Sequence, residues 1–425
     1  MEQRVQKAVI VGVELQKDKD FAYSMMELRN LAAARYIEVV GELSQKAEKV
    51  NATHYIGTGK IQELRALLEG LETDLAIFND ELSPSQIRNL EAELECVVMD
   101  RTMLILDIFA ERAKTREAQL QVEVARLHYS LPRLVGLRAS LGRQGGGGGA
   151  GLRNRGAGET KLELDRRRIE ERITALQAEL EKLVATRQQQ RRKRKKNEMP
   201  VVCLVGYTNT GKSSLMNAML ETYDPDTTKQ VFAENMLFAT LETSVRSIDL
   251  PDNKSFLLTD TVGFVSQLPH HLIKAFRSTL EEVTEADLLI HVVDYAHDDY
   301  EQLVDVTNET LAALGTESIP MVYAYNKCDL TDHSYPTSTE SSVYMSVKER
   351  QGIAELVDLI RGRVFDDYVT RDILIPYDQG RLVSYFNEHA NVLSTEYEEG
   401  GTRMRLECSL ANYERHRGHF TELEQ

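Results

Sequence analysis

The period of apolar residues changes along this chain, and each change marks a different kind of element. Up to about residue 110, short apolar runs alternate with helical spacing. Ala8-Val-Ile-Val-Gly-Val13, Tyr36-Ile-Glu-Val-Val40, Leu75-Ala-Ile-Phe78 and Cys96-Val-Val-Met-Asp100 read as strands. Phe21 to Ala34, Lys60 to Leu68 and Ser83 to Leu94 read as helices between them. Strands alternating with helices, and ending in polar residues, predict a parallel α/β layer.

Two long helical stretches follow. Leu120, Val124, Leu127, Leu131 and Leu134 are spaced 4, 3, 4, 3, and Leu162, Ile169, Ile173, Leu176, Leu180 and Leu183 are spaced 7, 4, 3, 4, 3. Both stripes have coiled-coil spacing. Between them lies the glycine-rich run 142–158, and glycine at such density is expected to stop a helix. The pattern predicts an antiparallel helical hairpin with a long tip loop that carries Arg143, Arg153 and Arg155. Farther on, buried strands and helices alternate again, and the end of the chain reads strand, helix, strand, Gly-Gly turn, strand. The expected architecture is multidomain α/β. It comprises an N-terminal α/β domain (1–112), a hairpin with a Gly-rich loop (113–197, loop 142–158), a nucleotide domain (198–365) and a small α+β unit (366–425).

Charge sharpens this division. The chain carries −16 overall, yet residues 133–196 hold eighteen Arg/Lys against seven Asp/Glu, a local +11. One basic module in an acidic protein predicts a local contact with nucleic acid, not a general affinity for it. Arg166, Arg167, Arg168 and the run from Arg191 to Lys196 would extend that footprint. The plainer alternative is a linker followed by a solvated helix face. Cys96, Cys203, Cys328 and Cys408 lie far apart, which argues against disulfides or structural zinc. No run approaches the roughly 20 apolar residues of a membrane span. A cytoplasmic protein without integral membrane association is expected.

The strand Val201-Val-Cys-Leu-Val205 runs into Gly206-Tyr207-Thr208-Asn209-Thr210-Gly211-Lys212-Ser213, then into a helix from Ser214. That is the G-x-x-x-x-G-K-[ST] loop. Its backbone N–H groups cradle phosphates, Lys212 reaches the β- and γ-phosphates, and Ser213 suits Mg²⁺. Asp260 and Gly263, in Asp260-Thr-Val-Gly263, end the next apolar strand, where a carboxylate serves the metal's water shell and a glycine N–H meets the γ-phosphate. Thr240, in Phe238-Ala-Thr-Leu241, is the choice for the switch threonine that completes the metal shell. Thr227 and Thr228 compete on spacing. Lys212, Thr240 and Gly263 are thus the candidate catalytic residues, and Ser213 and Thr240 the candidate metal ligands.

Base identity rests on Asn326, Lys327 and Asp329 in Asn-Lys-Cys-Asp. A carboxylate at 329 accepts from the N1–H and 2-amino groups of guanine and rejects adenine, which lacks both donors. Ser346, Val347 and Lys348 stand where a last base-contacting loop would. GTP and GDP, with Mg²⁺, are the predicted ligands, and GTP hydrolysis the predicted reaction. Phe264 follows Gly263 where many GTPases place a water-orienting glutamine, so slow, partner-stimulated turnover is expected.

The runs Asp80-Glu-Leu-Ser-Pro-Ser-Gln86, Leu106-Asp-Ile-Phe-Ala-Glu-Arg-Ala113, Leu120-Gln-Val-Glu-Val-Ala125 and Gly156-Ala-Gly-Glu-Thr160 add a family likeness. Together with the Gly-rich loop they resemble the HflX family of bacterial ribosome-associated, ribosome-splitting GTPases, over roughly residues 8 to 365. Phe264 and Thr240 fit the family's Asp-Thr-Val-Gly-Phe and Phe-Ala-Thr-Leu patterns. Ala157 departs where proline is usual, and Val347 where alanine is commoner. The resemblance implies that the protein binds the large ribosomal subunit and its RNA and splits or rescues stalled or idle ribosomes; a monomer without DNA binding is expected. In that picture the Gly-rich loop approaches the peptidyl-transferase region. A ribosome-assembly GTPase and a nucleotide-gated rRNA-binding module are the alternatives. Ile56-Gly-Thr-Gly-Lys60 reads as a turn that starts a helix in preference to a second phosphate site, and His270, His271 and His297 as surface or capping residues.

Overall fold

The computed structural model describes residues 6–423 apart from 17–19, 145–151, 197–198, 224–237, 239–243, 262 and 266–282; side chains of 134–162 and 186–198 are likewise outside the description. The chain forms two compact units. Residues 1–191 form the first, joined by Phe238 and Val265; the second holds the remaining described residues from 192 onward.

The first unit opens with β1 (Gln6–Leu15), α1 (Phe21–Ala34), β2 (Ile37–Ala47), α2 (Thr58–Gly70), β3 (Leu75–Phe78), α3 (Pro84–Leu94), β4 (Val97–Asp100) and α4 (Arg101–Arg112). Its sheet has the order β2-β1-β3-β4 and is parallel throughout. All four β3 side chains are buried, as a parallel strand covered on both faces requires. Val9, Val11 and Phe78 share a core with Leu64 of α2 and Leu90 of α3. The Ser-Pro-Ser-Gln run builds the start of α3. Ser83 Oγ accepts from the Gln86 N–H at 3.3 Å, Gln86 Oε1 accepts from the Ser83 N–H at 2.9 Å, and Pro84 fills the first turn. Thr58 begins α2 after Gly57, whose N–H donates to Gln45 at 2.9 Å, so the Gly-Thr-Gly-Lys run is a helix start here.

Two long helices follow, α5 (Arg116–Gln144) and α6 (Leu152–Lys196). Arg116 pairs with Glu179 at 2.8 Å and Arg172 with Glu123 at 2.9 Å. Seven residues forward on α5 match seven residues backward on α6, so the helices are antiparallel in a fixed register. Leu120, Val124 and Leu176 are buried between them, with Leu127, Leu180 and Leu183 packed alongside. The predicted loop at 142–158 is shorter than expected. Helix continues to Gln144 and resumes at Leu152, which places Gly142, Gly156 and Gly158 within helices. A helix already nucleated by its packed stretch adds each further residue cheaply, and a glycine costs only about 1 kcal/mol relative to alanine.

The second unit contains β5 (Val201–Val205), α7 (Lys212–Tyr223), β6 (Ser244–Asp249), β7 (Ser255–Asp260), β8 (Leu288–Asp294), α8 (Tyr300–Leu314), β9 (Met321–Asn326), β10 (Thr337–Ser338), β11 (Ser342–Tyr344) and α9 (Ile353–Val364). These strands form one sheet, ordered β10-β11-β9-β8-β5-β7-β6, parallel except at its two edge strands. The carboxyl ends of β5, β7, β8 and β9 all open on one side, where α/β sheets hold their ligands. A second, antiparallel sheet, β13-β14-β12-β15, follows. It is built from β12 (Tyr368–Ile375), β13 (Asn391–Glu398), β14 (Gly401–Ser409) and β15 (Thr421–Glu422), with α10 (Gly380–His389) and α11 (Leu410–His416). It is pinned to the β6–β7 turn. Asn253 Nδ2 donates to the carbonyls of Asn387 and Ala390 at 3.1 and 2.9 Å, and Lys254 pairs with Glu407 at 2.8 Å. Residues 366–425 therefore belong to the same compact unit as the nucleotide-binding core.

Candidate guanine-nucleotide site

The loop from Gly206 to Ser213 joins β5 to α7. Two conformations in it exclude bulk. Asn209 has φ +61°, and Gly211 has φ +99° with Asn326 Nδ2 only 2.4 Å from where a Cβ would sit. Lys212 is buried, and its ammonium donates to the carbonyls of Gly206 at 3.0 Å and Tyr207 at 2.5 Å. Burial pushes its pKa down to about 8, against the opposing pull of Asp260. Thr210 Oγ1 closes the loop on the Tyr207 carbonyl at 3.0 Å.

Asp260, at the end of β7, is fully buried and accepts from Ser213 Oγ at 2.6 Å. Beyond it the chain passes directly over the phosphate loop. A Cβ on Gly263 would lie 2.7 Å from Thr208 Cα, so only glycine fits there. The Thr208 N–H donates to the Phe264 carbonyl at 2.8 Å and the Phe264 N–H to the Gly206 carbonyl at 3.2 Å. Phe264 itself is buried. Gly263 is thereby held against the loop by its neighbour's backbone.

The base side is held by side chains that bridge loops. Asn326, 3% exposed, donates through Nδ2 to the Thr210 carbonyl at 2.8 Å and accepts the Val347 N–H on Oδ1 at 2.9 Å. One amide thus locks the phosphate loop to the loop of Ser346, Val347 and Lys348. Lys327 has φ +65° and pairs with Asp294 at 2.6 Å. Asp329 Oδ1 accepts from Ser346 Oγ at 2.7 Å, and Lys348 lies 3.7 Å from Oδ2. Asp329 is thereby a fixed carboxylate.

Three residues at this site escape motif reading. Asp294 ends an apolar strand, the one signal that would have pointed to it. Thr261 Oγ1 donates to the Leu204 carbonyl at 2.7 Å and ties the end of β7 to β5. His291 lies beneath the loop, its pKa pushed down to about 3 by burial and then by Lys212. Of the other candidates, Thr240, Thr227, Thr228, His270 and His271 lie outside the described residues. Arg143, Arg153 and Arg155 fall in the helical backbone of α5 and α6, and their side chains lie outside the description. His297 Nδ1 accepts from the Asp299 N–H at 3.1 Å near the start of α8, a capping contact. Among the described residues there is no His/Cys/Asp/Glu cluster that could hold a metal alone.

A phosphate loop, a buried lysine and a carboxylate fixed by Ser346, all at the carboxyl ends of the parallel strands of one sheet, mark a P-loop nucleotide-hydrolysing protein. Family models agree across the chain: "GTP-binding GTPase N-terminal" over residues 22–110, "GTP-binding GTPase Middle Region" over 112–194 and "50S ribosome-binding GTPase" over 201–327. The chain is 42% identical to the GTPase HflX of Caldanaerobacter subterraneus subsp. tengcongensis, covering 96% of this chain and 92% of that protein. Against the GTPase HflX of Escherichia coli (strain K12) identity is 35%, with 96% and 95% covered. A crystal structure of SsGBP with GDP matches at TM-score 0.48 and 23% identity, covering 85% of this chain and 99% of that one. The chain belongs to the HflX family of GTPases, as its motif runs anticipated. It binds GTP and GDP and hydrolyses GTP.

Proposed function

We propose that this GTPase binds the large ribosomal subunit through its hairpin and splits or rescues stalled or idle ribosomes in the cytoplasm, with the ribosome stimulating hydrolysis. The observation that carries the reading is the hairpin itself. Its antiparallel register runs from the Arg116–Glu179 pair toward a tip rich in glycine and arginine, presented at the end of two long helices. Arginines on such a tip can pair with RNA phosphates, while glycine lets the backbone approach closely.

Mg²⁺ suits the residues present. Ser213 Oγ and Asp260 lie side by side at 2.6 Å, a hydroxyl for direct ligation and a carboxylate for the water shell. Ser213 and Thr240 would hold the ion, which supplies countercharge to the phosphates. Lys212 and the loop amides bind the phosphates, Asp329 selects guanine, and the Gly263 N–H meets the γ-phosphate. Phe264 carries no polar group to orient water, which leaves that task to the ribosome. Thr240 follows a residue that is anchored in the first unit. Phe238, two residues before Thr240, is buried with its ring centroid 4.6 Å from that of Phe109 on α4. Only three residues separate α4 from α5.

The test is GTP turnover by purified protein, alone and with large ribosomal subunits. Stimulation of about tenfold or more is expected, absent in Lys212→Ala and weakened when Arg143, Arg153 and Arg155 are replaced together by alanine. Turnover unchanged by subunits and by whole ribosomes would leave the enzyme without this partner.

A further inference from the structure

One face of the second unit's sheet carries a feature that nucleotide binding does not use. On β9 and β11 the buried positions Val322, Ala324 and Val343 join the core that includes Ile353, Leu356 and Val357 of α9, while the alternating positions Tyr323, Tyr325 and Tyr344 point the other way and remain half-buried. Their rings form a continuous layer. Tyr323 and Tyr325 stack with centroids 6.1 Å apart, Tyr325 and Tyr344 at 4.7 Å, and His333 lies 4.2 Å from Tyr344. Tyr295 and Tyr300 extend the layer at 5.2 Å from Tyr344 and 6.2 Å from Tyr325. Between Asn326 and Ser342 the chain forms only a single 3-10 turn (Cys328–Leu330) and the two-residue β10, so this stretch lays no α-helix over the rings.

The segment that carries these rings is acidic, and the first cation beyond it, Lys348, lies 3.7 Å from Asp329. From Asp287 to Val347 the sequence holds eleven Asp/Glu and a single Lys/Arg, Lys327, which is turned inward to Asp294. Asp298, Glu301 and Asp332 are exposed beside the rings; the Tyr300 hydroxyl donates to Glu301 at 3.4 Å, and Asp332 precedes His333. Such a face repels a phosphate backbone. It attracts ammonium and guanidinium groups twice over, by its carboxylates and by the negative faces of its rings. Burial, then the neighbouring phenols, pushes the Tyr325 hydroxyl up to about 12.

We infer that this tyrosine face is a docking surface for an extended Lys/Arg-rich segment of a basic protein partner. Its occupant has the opposite charge to the RNA proposed for the basic hairpin. The surface stands independently of the ribosomal reading, because it can be tested without ribosomes.

The experiment uses the full chain and a twelve-residue Lys/Arg-rich synthetic peptide, with binding followed by quenching of tyrosine fluorescence, since the protein has no tryptophan. A single-stranded RNA of equal length is the second probe. Replacing Asp298, Glu301 and Asp332 by lysine should weaken peptide binding about tenfold. Replacing Glu388, Glu396 and Glu399, exposed acids elsewhere in the same unit, makes the same change in net charge and should leave binding within about twofold. Tyr300→Leu with Tyr344→Leu should weaken it about fivefold, and the Tyr→Phe pair should restore it; should the leucine pair misfold, the charge variants still decide. Basal GTP turnover should stay unchanged in the charge variants. Equal loss in the two charge variants would reduce the effect to general attraction by an acidic protein and overturn the proposal. So would RNA that competes with the peptide for this face.

Discussion

In the nucleotide pocket Asn326 is 3% exposed and uses both ends of its amide, whereas in the hairpin Arg172 and Glu123 meet with 56% and 40% of their side chains in solvent. The pocket is held by directional bonds among buried groups, each of which would be costly to leave unmade. The hairpin is held by an apolar stripe, and its ion pairs choose register more than they add stability. A site that must discriminate one base from another needs the first kind of construction. A pair of helices that has only to keep its register tolerates the second. Substitutions in the pocket should therefore act sharply and on specificity, and substitutions along the hairpin weakly and in a salt-dependent way.

The largest effect should come from Asp329→Asn. The asparagine amide would face the N1–H and 2-amino donors of guanine with an N–H, while xanthine presents a C2 carbonyl to that same group. GTP affinity should fall about a hundredfold or more, and XTP should gain relative to GTP. Competition binding of the two nucleotides measures this directly. A variant that kept its preference for GTP would mean that the carboxylate held by Ser346 is not the base reader.

Lys212 sets the next effect. Burial favours its neutral form, so in the free protein it loses its proton around pH 8. Nucleotide phosphates favour the ammonium and raise that pKa in the complex. Binding then takes up a proton above pH 8, and affinity for GDP should fall as pH rises, by up to about tenfold per unit. Calorimetry from pH 7 to 9.5 reads the slope, which Lys212→Arg should flatten. His291 is already neutral across this range and should not contribute.

The same contrast explains what the amino-acid pattern discloses. Phosphate and base motifs are short, contiguous and chemically constrained, so Gly206 to Ser213, Asp260, Gly263 and Asn326 to Asp329 are legible one residue at a time, and so are the strand and helix positions around them. Asp294 is not, because its role depends on β8 lying beside β9 and on Lys327 adopting a positive φ. The helix ends at the hairpin tip are not legible either. There, local glycine content argues for a loop, and propagation from a packed stripe overrides it. The attachment of the last sixty residues is invisible for a third reason. It rests on Asn253 and Lys254 in a two-stranded turn, reaching partners more than a hundred residues away.

The smallest effect is also the cleanest test of the hairpin's construction. Arg172→Glu would set two carboxylates opposite each other on α6 and α5, and Glu123→Arg would do the same with two cations. Each single change should lower the stability of the first unit by less than about 1 kcal/mol, because both side chains are solvated and screened. Combining them restores an attractive pair in reversed order and should recover most of the loss. Urea titration at low and high salt separates the two contributions: the single-variant penalty should shrink toward zero near molar salt, while the stripe of Leu120, Val124 and Leu176 remains indifferent to it. A penalty of several kcal/mol, unaffected by salt, would mean that the pair is desolvated in solution and that the hairpin is built more like the pocket than its exposed side chains imply.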